Sequence, residues 1–70
     1  MKTKQVFIVH TPPDTDRFRL AKGPTLRAAC VRLLAKGATR NQRVHIRLRN
    51  GSDVIKIGVG NTLNSLLICN

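Results

Sequence analysis

The residues of this sequence whose types and spacing could do chemistry are Arg43, His45, Arg47 and Arg49, followed shortly by Lys56. Arginine presents a planar fork of donors that fits phosphate and carboxylate oxygens two bonds at a time. Alternate positions on an extended chain recur at roughly 7 Å, a repeat comparable with the separation of neighbouring phosphates on a nucleic-acid strand. The chemistry on offer is therefore the grip of a polyanion. Arg40, just before this run, and Arg17 and Arg19 nearer the N-terminus extend the candidate set. The competing reading is a solvated strand face, with arginines that confer solubility and discourage edge pairing.

Reaction chemistry has less support. A histidine beside Arg or Lys can cleave RNA by acid–base catalysis without a metal, and His45 sits among arginines. The nearest acids lie in predicted loops, however, and His45 reads better as one more polar residue on an outer strand face. Asp14, Asp16 and Asp53 are too scattered to hold a metal, and there is no glutamate. No phosphate loop, nucleophile elbow or zinc motif occurs. Cys30 and Cys69 are too few and too dispersed for a disulfide framework or a zinc site. Cys30 reads as core packing and Cys69 as part of a C-terminal strand. The expectation is no enzyme, no cofactor and no metal.

The totals point the same way. Lys and Arg number 13 against three acids, a formal charge of +10 in 70 residues. Such a field attracts nucleic acid, anionic membrane or an acidic protein surface, and it destabilises the fold by self-repulsion. The length suits one domain with a thin core. No apolar run approaches the roughly 20 residues a membrane span needs. The apolar stretch Val6–Val9 after a basic N-terminus is too short for a signal peptide. A cytoplasmic protein without a membrane partner is expected.

The elements that must position these side chains follow from periodicity. Lys4–His10 reads as a strand around Val6, Phe7, Ile8 and Val9. Thr11–Asp16, with Pro12 and Pro13, reads as a loop. Arg17–Lys22 alternates basic and apolar residues and predicts a half-buried strand, with Phe18 and Leu20 inward and Arg17 and Arg19 outward. In Pro24–Lys36, Leu26, Ala29, Cys30, Leu33 and Leu34 fall on one helical face, with Gly23-Pro24 as cap and first-turn proline. Lys36 sits by the negative end of the helix dipole, and Gly37 is a natural left-handed stop.

A second hairpin follows. Arg43–Arg49 alternates without a break, Asn50-Gly51 signals a turn, and Val54–Val59 returns. A loop spanning Asn50–Asp53 pairs Leu48 with Ile55, Ile46 with Ile57 and Val44 with Val59 on the helix side. It places Arg47 opposite Lys56 on the outer face, beside Arg43, His45 and Arg49. Like charges facing each other across a sheet are destabilising unless an anion lies between them. After Gly60-Asn61, Leu63–Cys69 reads as a last, mostly apolar strand whose uncharged edge invites pairing with a second copy. The expected fold is α+β: a single antiparallel β-sheet with one α-helix packed on one face, in the order β-β-α-β-β-β.

With no Trp or Tyr, and with Phe18 assigned to the core, the chain offers few rings for stacking bases. Backbone binding with weak sequence preference is expected. The helix N-terminus, with Arg27 and no acid, is a second candidate anion site. Leu48-Arg49-Asn50-Gly51 followed by Val54–Gly58 resembles the strand-turn-strand core of Sm-like RNA-binding proteins, over less than half of the chain. The two strands ahead of the helix and the lack of later strands depart from that pattern. The element order and size are similar in format to small phage-encoded inhibitors such as some anti-CRISPR proteins. Neither likeness assigns a family.

Two functions are compatible with these features. The first is a small basic nucleic-acid-binding protein (DNA or RNA) that grips phosphates with Arg43, Arg47, Arg49 and Lys56, supported by Arg40 and His45. The second is an interaction or inhibitor protein whose basic face docks on an acidic surface of a nucleic-acid-handling protein complex. A homodimer through the C-terminal strand is expected in either case.

Overall fold

The computed structural model describes residues 4–68. Strands β1 (Gln5–His10) and β2 (Leu20–Gly23) precede helix α1 (Leu26–Ala35); strands β3 (Arg43–Asn50) and β4 (Asp53–Thr62) precede a short helix α2 (Leu63–Ile68). The strands form one antiparallel sheet in the order β2-β1-β3-β4. The α+β class, the single antiparallel sheet and the helix on one face agree with expectation. The order differs: it is β-β-α-β-β-α.

Alternation along β1 and β3 builds the core. Val9 lies opposite Ile46 and Phe7 opposite Leu48, so these side chains share the face covered by α1. Ala29, Cys30 and Leu33 of α1 bury there against Val9, Ala21 and Val44, with Leu26 and Leu34 at the margin. Cys30 is a core residue as expected, and burial pushes its thiol pKa up. Helix α1 starts two residues later than the proline suggests. Thr25, in extended backbone, accepts from the Ala28 N–H at 3.1 Å and is the N-cap. Gly37 (φ +106°) ends the helix as expected.

Three elements depart from the sequence reading. The second strand is Leu20–Gly23 rather than Arg17–Lys22, and its parity is inverted. Leu20 and Lys22 face away from α1, whereas Ala21 and Gly23 face it. Close helix packing sets this choice. A Cβ on Gly23 would sit 2.8 Å from the Ala29 backbone nitrogen, so only this small-residue side of β2 can meet the helix. A one-residue change of phase moves every side chain of a strand to the other face. Phe18 is therefore not inward: it lies outside the strand and is 54% exposed.

The second departure is in β4. Near the turn the register is as expected, with Arg47 opposite Lys56 and Leu48 opposite Ile55, but the loop is two residues rather than four, because Asn50 and Asp53 pair as strand ends. The loop residues are Gly51 and Ser52, with positive φ at Gly51 alone, the pattern of a type II′ turn. Further along, two bulges change the phase. Ile46 faces Gly58 instead of Ile57, and Val44 faces Asn61 instead of Val59. Gly60 supplies the extra residue of the second bulge at φ +81°, a conformation that favours glycine. The first bulge alone, with Ile57 as its extra residue, puts Val59 opposite His45 on the outer face.

The third departure is the C-terminal segment, which is helix α2 and not a strand. Leu63, Leu66 and Leu67 recur at i, i+3 and i+4, and Leu63 and Leu67 join the core. The Thr62 hydroxyl accepts from the Ser65 N–H at 3.2 Å, capping the helix. A six-residue run this apolar suits either period, and the cap and the leucine spacing decide it. Cys69, assigned to the same strand, lies outside the described residues. The expected dimer through a C-terminal strand edge loses its premise, because the sheet edges are β2 and β4.

Candidate nucleic-acid interface

The face of the sheet turned away from α1 is organised in rows that cross the strands. The central row runs Lys22, Ile8, Arg47, Lys56 over all four strands, about 14 Å at ordinary strand spacing. Beside it runs Leu20, His10, His45, Val59. On its other side Val6, Arg49 and Val54 are paired in sequence across β1, β3 and β4. Arg43 extends the face beyond His45, opposite Thr62. These rows hold no acid. Asp53 pairs with Asn50, on the opposite phase of the hairpin.

The cations of the chain divide by role. On the helix side they tie the layers together. The Arg19 Nε donates to the Lys36 carbonyl at 3.0 Å, the Lys36 ammonium to the Leu20 carbonyl at 2.6 Å, and an Arg32 guanidinium nitrogen to the Lys22 carbonyl at 2.8 Å. Arg27 donates to the Leu67 carbonyl at 3.3 Å and Arg40 to the Asn64 side-chain oxygen at 3.3 Å. On the sheet side Lys22, Arg43, Arg47, Arg49 and Lys56 are all exposed, and Arg47 and Lys56 hold like charges side by side.

This arrangement sorts the candidate residues. Arg43, His45, Arg47, Arg49 and Lys56 come together as expected. Arg40 turns toward α2. Arg17 and Arg19 do not extend the patch: they line a separate recess with Asp14 and Asp16, because the loop and the inverted phase of β2 direct them elsewhere. Arg27 at the helix N-terminus is engaged with α2. Lys22, His10 and Phe18 also border this face; the sequence reading assigns Lys22 and His10 no part in it and Phe18 to the core. The signal for Lys22 was present in Ala21 and Gly23, whose small size marks the helix-facing phase of β2.

The rings on this face touch one another. His10 and His45 lie with centroids 5.2 Å apart and planes at 63°, and His10 and Phe18 with centroids 5.6 Å apart and planes at 37°. His10 is 6% exposed, and its Nδ1 donates to the Thr11 carbonyl at 2.8 Å, which fixes the ring. The basicity of His45 is pushed down by burial first, then by His10, Lys56 and Arg47, with Asp14 opposing. An anion seated between Arg47 and Lys56 offsets those cations and favours protonated His45. Binding then takes up a proton, so affinity is expected to rise as pH falls from 7.5 to 5.5, by at most about tenfold per pH unit for one proton. His45→Gln should flatten that profile, measured by anisotropy of a labelled oligonucleotide.

No protein-family model, no curated protein and no solved structure matches this chain.

Proposed function

We propose that this protein binds nucleic acid by its phosphate backbone through the outer sheet face. Arg43, Arg47, Arg49 and Lys56 form the grip, joined by Lys22 at the far end of the central row. The observation that carries the reading is the Arg47–Lys56 cross-strand pair among strand rows that hold no acid. Like charges directly opposite cost stability, and a phosphate between them converts that cost into affinity. His45 lies inside the face, whereas Arg40 turns toward α2.

The test is fluorescence anisotropy with labelled single- and double-stranded DNA and RNA over a range of salt. The label belongs on the nucleic acid, because the chain has neither Trp nor Tyr. Four to five phosphate contacts give a log–log salt slope near −4 on duplex. A flat profile, or negligible binding at physiological salt, rejects the reading. It would favour the docking of this face on an acidic protein surface, which the exposed Val54 and Val59 beside Lys56 also suit.

A further inference from the structure

The outer face is more than a basic surface. A concave recess of about 500 Å³ opens on it, a size within the range of small-molecule sites. Ile8, Leu20 and Val54 make its apolar part, Phe18 and His10 give it rings, and Arg47 and Arg49 lie along it. Phosphate contacts need none of the apolar and aromatic groups.

The placement of Phe18 is specific. The loop between β1 and β2 is closed by Thr11, whose N–H donates to the Arg19 carbonyl at 2.9 Å and whose hydroxyl accepts from the Arg19 N–H at 2.8 Å. Within the loop the Thr15 hydroxyl donates to the Pro12 carbonyl at 2.8 Å. These bonds hold Phe18 against His10 with 54% of its surface open. Exposing half of a phenyl ring forgoes apolar burial in a chain with little core to spare. A preset ring beside a fixed histidine and two arginines forms a stacking platform.

Duplex bases are stacked on their own neighbours and cannot enter such a recess, whereas a single strand presents bases that stack on aromatic and guanidinium planes. Building on the backbone-binding reading, we infer that the ligand is single-stranded nucleic acid. One unpaired base stacks on Phe18 in the recess, while Arg47 and Arg49 hold the phosphates on either side of it. Both DNA and RNA offer this chemistry, so oligo(dT) and oligo(rU) of equal length are separate arms of the test. The inference replaces the expectation of pure backbone binding, which rested on placing Phe18 in the core.

The chain itself provides the probe. Phe18→Trp keeps a ring at the platform and introduces the sole strong fluorophore, since no Trp or Tyr is present. Its emission should be quenched to saturation by oligo(dT) or oligo(rU), and left largely unchanged by duplex and by an abasic strand of the same length. Phe18→Ala should weaken single-strand binding by about five- to a hundredfold in anisotropy, the worth of one base–ring stack, and leave duplex binding unchanged. The phenyl is exposed, so circular dichroism should show this variant folded. Equal affinity for single strand and duplex, with no quenching and no effect of Phe18→Ala, overturns the inference and leaves the backbone reading standing. Failure of every oligonucleotide to bind overturns both.

Discussion

Replacing Arg47 and Arg49 together by glutamate is expected to abolish nucleic-acid binding at physiological salt while raising thermal stability slightly. The two arginines lie on alternate positions of β3, one opposite Lys56 and the other opposite Val54. Each loses its phosphate contact and replaces it with a repulsion. Hydrogen bonds involving charged groups are worth about 1.5–3 kcal/mol each, so affinity should fall by at least about a hundredfold. Fewer contacts also flatten the salt slope by nearly two. The fold responds in the other direction, because Arg47→Glu turns a like-charge pair with Lys56 into an opposite-charge one. Such pairs contribute roughly 0.2–1 kcal/mol across a sheet. Anisotropy and a thermal melt on the same variant therefore move apart. Unchanged binding would place the interface elsewhere, and a lower melting temperature would mean that Arg47 supports the fold.

That cross-strand pair was also the part of the site most legible in the sequence. Unbroken alternation from Arg43 to Arg49 left one phase for β3, and the turn at Gly51 fixed its partner near the loop. Register information decays with distance from the turn. Nothing in the residue type of Ile57 announces an inserted residue, and the bulge it makes carries Val59 to the outer face. In β2 the misleading feature was the regular alternation of Arg17 to Lys22. Hydrophobicity argued for Phe18 and Leu20 inward, whereas the distance of closest approach between α1 and the sheet required Ala21 and Gly23 there. Size overrode polarity, and the same inversion places Lys22 on the outer face and leaves Phe18 in the loop beside it. Patterns of apolarity alone thus recover a strand's existence more readily than its phase, and the phase decides which residues share the outer face.

The C-terminal helix leads to the second large effect, on stability. Leu63→Ala should lower the melting temperature by about 8–40 °C. Leu63 is 0% exposed, and truncating a buried leucine costs about 2–5 kcal/mol through lost transfer energy and the cavity left behind. A chain this short has only roughly 3–10 kcal/mol in total, and each kcal/mol moves the midpoint by about 4–8 °C at this size. The loss should be large because α2 closes the side of the core that α1 leaves open. The Leu63 and Asn64 N–H groups donate to the Gln42 and Arg40 carbonyls at 3.1 and 2.9 Å, so the start of α2 is tied to the segment that launches β3. Ile68→Ala is the matching control: Ile68 is 69% exposed and should change stability by less than about 0.5 kcal/mol. Leu66→Ala should fall between them, since Leu66 is half-buried against the core. A helix buries positions 63, 66 and 67, whereas a strand would bury 63, 65 and 67. Comparable losses at Leu63 and Leu67, a clear loss at Leu66 and none at Ser65→Ala would carry the helical period in solution; silence at Leu66 would return the segment to an extended form.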